Sequence, residues 1–215
     1  MVKTIPLLLF WAGFTTILSA CNLKDTPMQT TTPPHHPASL DTITLGNGCF
    51  WCTEAIYQQT RGVISVKPGY SGGTIKNPSY REVCTGRTGH AEVVQVVFDT
   101  QQVSLAVILE IFFKTHDPTT LNRQGADVGT QYRSAIFYHH PAQQALATSI
   151  LKDLDAAGIW PNPIVTEITP FTQFYPAEPE HLAYYARNPE QAYCRAVILP
   201  KLEKFKKVFA EYVAP

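Results

Sequence analysis

The 215-residue chain carries 17 Lys and Arg residues and 17 Asp and Glu residues, so its formal net charge is zero. This balance, with no basic run long enough to form a stripe, argues against nucleic acid as a partner. Hydrophobic residues make up 45% of the chain, which is enough to bury the core of one domain of ordinary size.

The start of the chain is predicted to be a secretory signal that ends in a lipid attachment site. Lys3 is followed by a continuous apolar stretch, and small residues precede a cysteine in LSAC at 18–21. This ending resembles the bacterial lipobox, whose cysteine becomes the lipidated first residue; the alternative is ordinary cleavage that leaves Cys21 as a free thiol. We expect a lipoprotein signal peptide at 1–20 and an anchor in the cell envelope, on the periplasmic side. Asn22 favours the outer membrane.

A polar segment follows the lipid attachment site. Residues 22 to about 40 are rich in Pro and Thr and show no apolar period, so they cannot bury a core. We interpret 21–40 as the lipidated cysteine and a flexible tether, in which His35 and His36 are solvated rather than metal ligands. The globular domain is then expected at 41–215.

Strands and helices are mixed along the rest of the chain. Alternating apolar residues predict strands, and apolar residues at helical spacing predict helices. The predicted strands are 43–48, 63–73, 91–99, 134–140 and 163–170. The predicted helices are 50–59, 104–116, 141–158, 181–188 and 200–213. Long βαβ units do not follow one another, so we predict an α+β fold, a mixed sheet covered by helices.

The stretch HDPTTLNRQGADVGTQY at 116–132 is predicted to be a loop. It is polar and has no periodicity. A structureless loop of this length inside a compact domain is usually functional. We therefore expect it to contribute to a site.

The motif GNGCFWC at 46–52 places Cys49 and Cys52 at the start of a predicted helix. Three kinds of site contain such a pair: a zinc site, a thioredoxin-like redox pair, and a single nucleophile beside an aromatic pocket. A tetrahedral zinc site needs four ligands, and the other cysteines of the domain, Cys84 and Cys194, are isolated. No metal is therefore expected, and the other two kinds of site remain open.

Two features are consistent with Cys49 as a nucleophile. The positive end of the helix dipole would stabilise its thiolate by roughly 0.3–1 kcal/mol, and an ordinary thiol with a pKa near 8.5 is little ionised at neutral pH. Phe50 and Trp51 could wall a slot for a methyl group, although plain core packing is the alternative for Trp51. A thioredoxin-like pair would not require the long polar loop at 116–132.

Five longer stretches can be compared with known families. They are GCFWCTEAIYQQTRGV, PGYSGG, NPSYREVCTGRTGHAEVVQV, FFKTHDPTTLNRQGADVGTQYRSAIFY and NPEQAYCRAVILPKL. In order and spacing, from about Ile43 to Val208, they resemble the peptide methionine sulfoxide reductases of type A. The resemblance implies a two-layer α/β roll of ferredoxin-like plan, with the catalytic domain at 41–215. It also implies reduction of the S epimer of methionine sulfoxide, free or in oxidised proteins.

The resemblance further implies a role for each residue at a matching position. Cys49 is the nucleophile and Glu92 is the acid. The substrate contacts are Phe50 and Trp51 at its methyl group, Tyr80 and Tyr132 at the sulfoxide oxygen, and Asp127 at its backbone. The family needs no cofactor besides an external dithiol reductant such as thioredoxin, and we expect a monomer.

The chemistry of sulfoxide reduction requires an acid such as Glu92. A thiolate that attacks the sulfoxide sulfur displaces oxygen, which leaves only when it is protonated. A carboxyl can supply that proton at neutral pH if burial raises its pKa to about 6–7. Glu92 begins the apolar strand EVVQVVF, where burial is expected; an exposed acid at the strand end is the alternative.

The reaction leaves Cys49 as a sulfenic acid, which a second thiol converts to a disulfide and an external dithiol then reduces. Cys194 lies at the position of the family's C-terminal resolving cysteine and is the preferred candidate. Cys52 is the alternative, and a relay through both is a third. Outside the cytoplasm no thioredoxin pool keeps thiols reduced, so we expect a membrane-relayed, thioredoxin-like partner in the periplasm.

The remaining candidates are predicted to be structural. Cys84 is expected to be a small buried apolar residue without a redox role. His90, His116 and His181 are expected to be loop or cap histidines with structural hydrogen bonds. A lipoprotein that binds oxidised proteins without reducing them is the rival function, and the complete set of matching residues argues against it.

Overall fold

A six-stranded sheet forms the centre of the domain in the computed structural model, which describes residues 39–215. The strands of this part of the chain are β1 (Leu40–Asn47), β2 (Val63–Ser71), β3 (Ala91–Asp99), β4 (Arg123–Gln124), β5 (Asp127–Val128), β6 (Ser134–Tyr138), β7 (Glu167–Pro170) and β8 (Phe174–Pro176). The helices are α1 (Phe50–Gln58), α2 (Tyr80–Cys84), α3 (Leu105–Thr115), α4 (Pro141–Ala156), α5 (Tyr184–Arg187) and α6 (Leu199–Val208). A π-helical turn, Cys194–Ile198, precedes α6, and 3₁₀ turns span Thr130–Tyr132, Pro179–His181 and Ala210–Tyr212.

The strand order of the main sheet is β7-β6-β1-β3-β2-β8. β1 lies antiparallel to β3 and β6, β2 lies antiparallel to β3 and β8, and β7 runs parallel to β6. With α1 between β1 and β2 and α3 between β3 and β6, the four central strands have the ferredoxin-like order. The predicted α+β fold, a mixed sheet covered by helices, is confirmed.

The core lies between this sheet and its helices. β3, with the sequence AEVVQVVFD, is buried along nearly its whole length because it is central and covered on both faces. α3 begins at Ser104, whose Oγ accepts the N–H of Val107 at 3.3 Å, and it buries an apolar face that includes Ile108 and Phe112. The sheet is thereby held as a rigid support for the loops at its ends.

Most predicted elements are present, and the differences are short elements set by tertiary contacts. The predicted helix at 181–188 is helical only over α5, because Ala183 adopts a left-handed conformation with φ of 50°. β8 and the hairpin of β4 and β5 were not predicted, since strands of two or three residues leave no period. α2 was also missed, although Ser79 and Glu82 form the capping box that begins it.

The candidate site residues converge on one end of the sheet. β1 ends there at Asn47, which pairs with Ser134 at the start of β6. The chain then turns at Gly48, where φ is 97° and a Cβ atom would lie 2.6 Å from Cγ of Gln124, so only glycine fits. β3 begins at this same end, beside the last residues of β2. The topology therefore gathers stretches that are far apart in sequence.

The end of the chain folds back onto the end of α1. The N–H of Arg61 donates to the carbonyl of Tyr212 at 2.7 Å, and the N–H of Ala214 donates to the carbonyl of Gln59 at 2.8 Å. Thr60 and Val213 form a bridge between these bonds. α1 is thus fixed at its C-terminal end by the last residues of the domain.

The predicted signal peptide at 1–20, Cys21 and almost all of the tether lie outside the described residues. Within 39–215, no helix has both the length and the apolar composition needed to cross a membrane. The predicted boundaries between signal, tether and domain stay predictions.

Candidate active site

Cys49 lies at the cap position immediately before α1, and only 6% of its surface is exposed. Its side chain makes no hydrogen bond to the free N–H groups of the first helical turn. Burial raises the pKa of the Cys49 thiol. Burial therefore opposes the predicted stabilisation of the thiolate by the helix start, and another group accepts a hydrogen bond at that helix start.

Glu92 is that group. Its Oε2 accepts the N–H of Phe50 at 3.1 Å, and only 1% of the residue is exposed. Burial raises the pKa of the Glu92 carboxyl to about 8, the Phe50 N–H opposes this rise, and the charges of Asp127 and Cys52 add to it. The expected burial is observed, and the carboxyl holds a proton at neutral pH.

The thiols of Cys49 and Cys52 are close enough for each to shift the pKa of the other. Cys52 is also buried, and its N–H donates to the carbonyl of Cys49 at 3.1 Å. Burial and then the neighbouring Cys52 raise the pKa of Cys49, and the neighbouring Cys49 lowers the pKa of Cys52 to about 7. Residues three apart on a helical turn have Cβ atoms about 5–6 Å apart, so a disulfide between the two needs only a small adjustment.

Tyr193, which the sequence analysis did not single out, connects Asp127 to this thiol pair. Its hydroxyl donates to Oδ2 of Asp127 at 2.8 Å and lies 3.9 Å from Sγ of Cys52. Burial raises the pKa of Tyr193, so the hydroxyl stays protonated. The feature of the sequence that could have identified Tyr193 is its position directly before Cys194.

Tyr80 and Tyr132 approach the buried acid from two different elements. Tyr80 begins α2, and Tyr132 ends the 3₁₀ turn that leads into β6. Burial raises the pKa of both phenols, and the charge of Glu92 raises them further. Both half-buried hydroxyls are therefore available as hydrogen-bond donors beside Glu92 at neutral pH.

Aromatic rings form a wall beside Cys49. The Trp51 indole stacks on Tyr184 with ring centroids 3.7 Å apart and planes 7° apart. Its Nε1–H donates to Nδ1 of His181 at 3.2 Å, and the Phe50 ring lies 5.4 Å from that imidazole. Phe50 is buried while Trp51 is half-buried, so the wall offers an apolar surface that a small ligand can reach.

Glu178, also missed in the sequence, supports the residues around this wall. Its Oε1 accepts the N–H of Tyr80 at 2.7 Å, and its Oε2 accepts the hydroxyl of Tyr70 at 2.9 Å. It thus ties the start of α2 to β2 and to the chain leading to His181. No local sequence pattern indicates this role, because both partners, Tyr80 and Tyr70, are distant in sequence.

The two remaining cysteines of the domain have opposite environments. Cys194 is fully buried in the π-helical turn, and burial raises the pKa of its thiol, with a further rise from the charge of Cys52. Cys84 is exposed, so the prediction that it is a buried apolar residue is wrong. The reason is that α2 lies on the surface and buries Val83 instead.

Histidines and acids do not form a metal site in the described part of the chain. Across residues 39–215, no group of three or more His, Cys, Asp or Glu side chains is arranged to hold a metal ion. His90 hydrogen-bonds the N–H of Gly73 at 3.0 Å, and His116 bonds the carbonyl of Phe112 at 2.7 Å, as structural histidines do. His181 also makes a structural bond, but with the aromatic wall.

Comparison with known proteins gives consistent results. A family model described as peptide methionine sulfoxide reductase matches residues 41–213. The chain is 53% identical over 174 residues to the peptide methionine sulfoxide reductase MsrA of Granulibacter bethesdensis, covering 81% of this chain and 94% of the relative. The same protein of Thermus thermophilus is 53% identical over 172 residues, covering 80% and 97%.

Two solved structures are similar as well. Methionine sulfoxide reductase A of Corynebacterium diphtheriae has a TM-score of 0.65 and 40% identity, covering 73% of this chain and 78% of that one. Reduced Mxr1 from Saccharomyces cerevisiae has a TM-score of 0.67 and 38% identity, covering 74% and 91%.

Proposed function

This chain belongs to the peptide methionine sulfoxide reductase family, and on that premise we propose that Cys49 attacks the sulfur of methionine sulfoxide while Glu92 delivers a proton to its oxygen. The enzyme reduces methionine sulfoxide in a thiol-dependent reaction. The observation that carries the assignment of residues is the buried Glu92 carboxyl, which keeps its proton near neutral pH and lies against the residue next to Cys49.

The chemical step moves one oxygen atom from substrate to enzyme. Sγ of Cys49 forms a bond with the substrate sulfur, and Glu92 protonates the oxygen. The OH group then passes to Sγ as both the S–O bond of the substrate and the new bond between the two sulfurs break. One thiol and one sulfoxide give one sulfenic acid and one thioether; the methionine sulfur gains two electrons and the cysteine sulfur loses them. Cys49 beside it lowers the pKa of Cys52 to about 7, so Cys52 as a thiolate can take the Cys49 proton as the attack begins; that proton then returns to Glu92.

The substrate contacts follow from the chemistry of the surrounding groups. Phe50 and Trp51 offer an apolar wall for the methyl group, whose burial contributes about 0.8 kcal/mol. Tyr80 and Tyr132 supply neutral donors for the developing charge on oxygen. Asp127 is free on one oxygen to accept an N–H of the substrate backbone. Three fixed contacts around a tetrahedral sulfur select one hand, and we assign the S epimer.

The order of the thiols differs from the order preferred on sequence grounds. The Cys52 thiol already lies against Cys49. Cys194 is buried in the π-helical turn, close enough to Cys52 for the charge of Cys52 to raise its pKa. Cys52 therefore displaces water from the Cys49 sulfenic acid and forms the first disulfide. Cys194 next attacks Cys52, which frees Cys49 and passes the disulfide to the C-terminal segment. A thioredoxin-like dithiol then reduces this disulfide and is itself oxidised, which returns the enzyme to its starting state.

A single turnover without external reductant tests this function and the thiol order together. One equivalent of methionine S-sulfoxide should give one methionine per enzyme and the loss of two free thiols, and the R epimer should give none. Mass spectrometry of a Cys194→Ser variant should find a disulfide between Cys49 and Cys52. Turnover of both epimers would contradict the proposed function, and a Cys194→Ser enzyme that stops at the sulfenic acid would contradict the thiol order.

We place the enzyme in the cell envelope, as a monomer whose site comes from one chain. The support is the LSAC sequence at 18–21 after an apolar stretch, followed by a Pro- and Thr-rich segment. Several acyl chains on Cys21 would hold it stably at a membrane, with the outer membrane favoured by Asn22. In that compartment the reductant has to be a periplasmic thioredoxin-like protein supplied with electrons across the membrane.

Labelling of the full chain in bacterial cells with radioactive palmitate tests the anchor. The wild type should carry label and sediment with membranes, because its signal ends in a lipid attachment site. Cys21→Ala should carry no label and leave the membrane fraction, while Cys84→Ala should behave as the wild type does. An unlabelled wild-type protein would show that the signal is cleaved in the ordinary way.

A further inference from the structure

Glu54 is a buried acid on the active-site helix that the proposed mechanism does not use. It lies in α1, three residues after Trp51 and therefore on the same face of the helix. Only 1% of its surface is exposed, and burial raises the pKa of its carboxyl. A buried carboxyl needs hydrogen-bond donors from the protein, and these donors identify the part of the chain that Glu54 fixes.

The donor is a backbone group at the start of α5. Oε1 of Glu54 accepts the N–H of Ala183 at 2.9 Å, and Tyr184 follows Ala183 as the first residue of α5. Ala183 has φ of 50° and ψ of 39°, the left-handed conformation that an alanine adopts only when its surroundings impose it. The bond from the Ala183 N–H to the buried Glu54 carboxyl holds the backbone in this conformation.

The residue after Ala183 carries the ring that supports Trp51. Tyr184 stacks on the indole at 3.7 Å, nearly parallel, and the same segment presents His181 to the indole N–H. The Trp51 side chain is thus held between α1 and a segment that α1 itself clamps through Glu54. Without the clamp, the backbone at Ala183 would relax toward ordinary dihedral angles and turn the Tyr184 ring away.

We propose that Glu54 is a positioning residue that sets the orientation of Trp51 through the backbone of Ala183 and Tyr184, and so determines how tightly the substrate methyl group is bound. This inference rests on the proposed role of Trp51 as a substrate contact. The methyl group touches the wall before and during oxygen transfer alike. Loss of the clamp should therefore weaken binding of substrate and transition state equally, which raises KM and leaves kcat unchanged.

Glu54→Gln in the full-length enzyme is the first test. The amide fits the same space but is a weaker acceptor than a carboxylate, so its bond to the N–H of Ala183 is weakened. We expect KM for a methionine S-sulfoxide to rise about fourfold, the factor for one lost methyl-sized contact, with the single-turnover rate at saturation unchanged. Glu190→Gln, which changes an acid that is 88% exposed, should leave both values as they are.

The fluorescence emission of Trp51 reports the orientation of its side chain. A loss of stability alone would not change this emission in the folded protein. In a background with Trp11→Phe and Trp160→Phe, Trp51 is the remaining tryptophan. Stacking on Tyr184 and the bond to His181 fix its emission, so Glu54→Gln should shift it in the folded protein. Circular dichroism at the same temperature shows that the variant is folded.

Tyr184→Ala tests the other end of the path without touching the buried acid. It should give the same rise in KM and a shift of Trp51 emission of the same sign, because it removes the ring that Glu54 positions. Unchanged KM and emission in this variant, or in folded Glu54→Gln, would overturn the proposal, as would a loss of kcat at constant KM. A wild-type enzyme without reductase activity would instead overturn the proposed function.

Discussion

Replacing Cys49 by serine is expected to lower methionine sulfoxide reduction by roughly 10⁴-fold or more, to the level of the uncatalysed reaction. The oxygen acceptor in the proposed step is the cysteine sulfur, which goes from thiol to sulfenic acid, and a serine hydroxyl cannot be oxidised in this way. The side chains have similar size, and Cys49 makes no hydrogen bond to the helix start, so the fold should be retained. Chromatographic measurement of methionine from a defined S-sulfoxide checks the result.

Two comparisons make the Cys49 result specific. Cys84→Ser changes an exposed thiol outside the site and should keep wild-type activity. The Cys49→Ser protein should also keep its free Cys52 and Cys194 thiols after incubation with sulfoxide, because no sulfenic acid forms for them to attack. Oxidation of those two thiols in the variant at the wild-type rate would show that another cysteine is the nucleophile.

Replacing Glu92 by glutamine should slow the chemical step by about 10²- to 10⁴-fold, the usual range for removal of a positioned proton donor. The amide oxygen can still accept the N–H of Phe50, so the geometry around the start of α1 should be preserved. The Cys49 sulfur can still attack, but the displaced oxygen is no longer protonated. Rapid-quench measurement of one turnover at saturating substrate isolates this step from disulfide reduction.

The pH profile separates proton donation by Glu92 from other roles. The carboxyl is active when protonated, and burial raises its pKa to about 8, so the wild-type single-turnover rate should fall as pH rises through 8. Glu92→Gln should lack this fall, while Glu203→Gln, at an exposed acid, should keep it. A wild-type rate that stays level from pH 7 to pH 10 would contradict a carboxyl donor.

Glu92→Gln slows the reaction but should increase the stability of the folded protein at pH 7 and above. The pKa of Glu92 is higher in the folded chain than the value near 4.5 of an exposed carboxyl, so its contribution to stability is lost as pH rises above 4.5. At pH 7 the cost is roughly 3 kcal/mol, which the neutral amide does not incur. Glu92→Gln should therefore unfold at higher urea concentration than the wild type at pH 8 and nearly alongside it at pH 4.

Much of the fold could be predicted from the chain because the long elements follow the periodicities of strands and helices. The strand at 91–99 and the helix at 104–116 are examples, with apolar runs that extend over several turns or alternations. The gathering of Cys49, Glu92 and Tyr132 was predicted through the family resemblance. Composition and periodicity alone contain no information on which loops meet at one end of a sheet.

The differences from the sequence analysis have physical reasons of two kinds. The helix dipole argument for Cys49 considered only the chain next to it, but the Phe50 N–H is taken by an acid 42 residues away. Cys84 was predicted to be buried from residue type, yet the orientation of a five-residue helix decides its exposure. Tyr193 and Glu54 have roles that exist only through contacts with distant parts of the chain.

The contacts of Tyr212 and Ala214 with the end of α1 bear on when the active site becomes enclosed as the chain folds. The helix that follows Cys49 is fixed at its far end by bonds to Tyr212 and Ala214. Tyr184, which stacks on Trp51, and Tyr193 also come from the last fifth of the sequence. A chain in which that part has not yet folded onto α1 has its nucleophile but not the residues that enclose it. The Cys49 thiol is therefore shielded only when the pocket forms, because the same residues supply both.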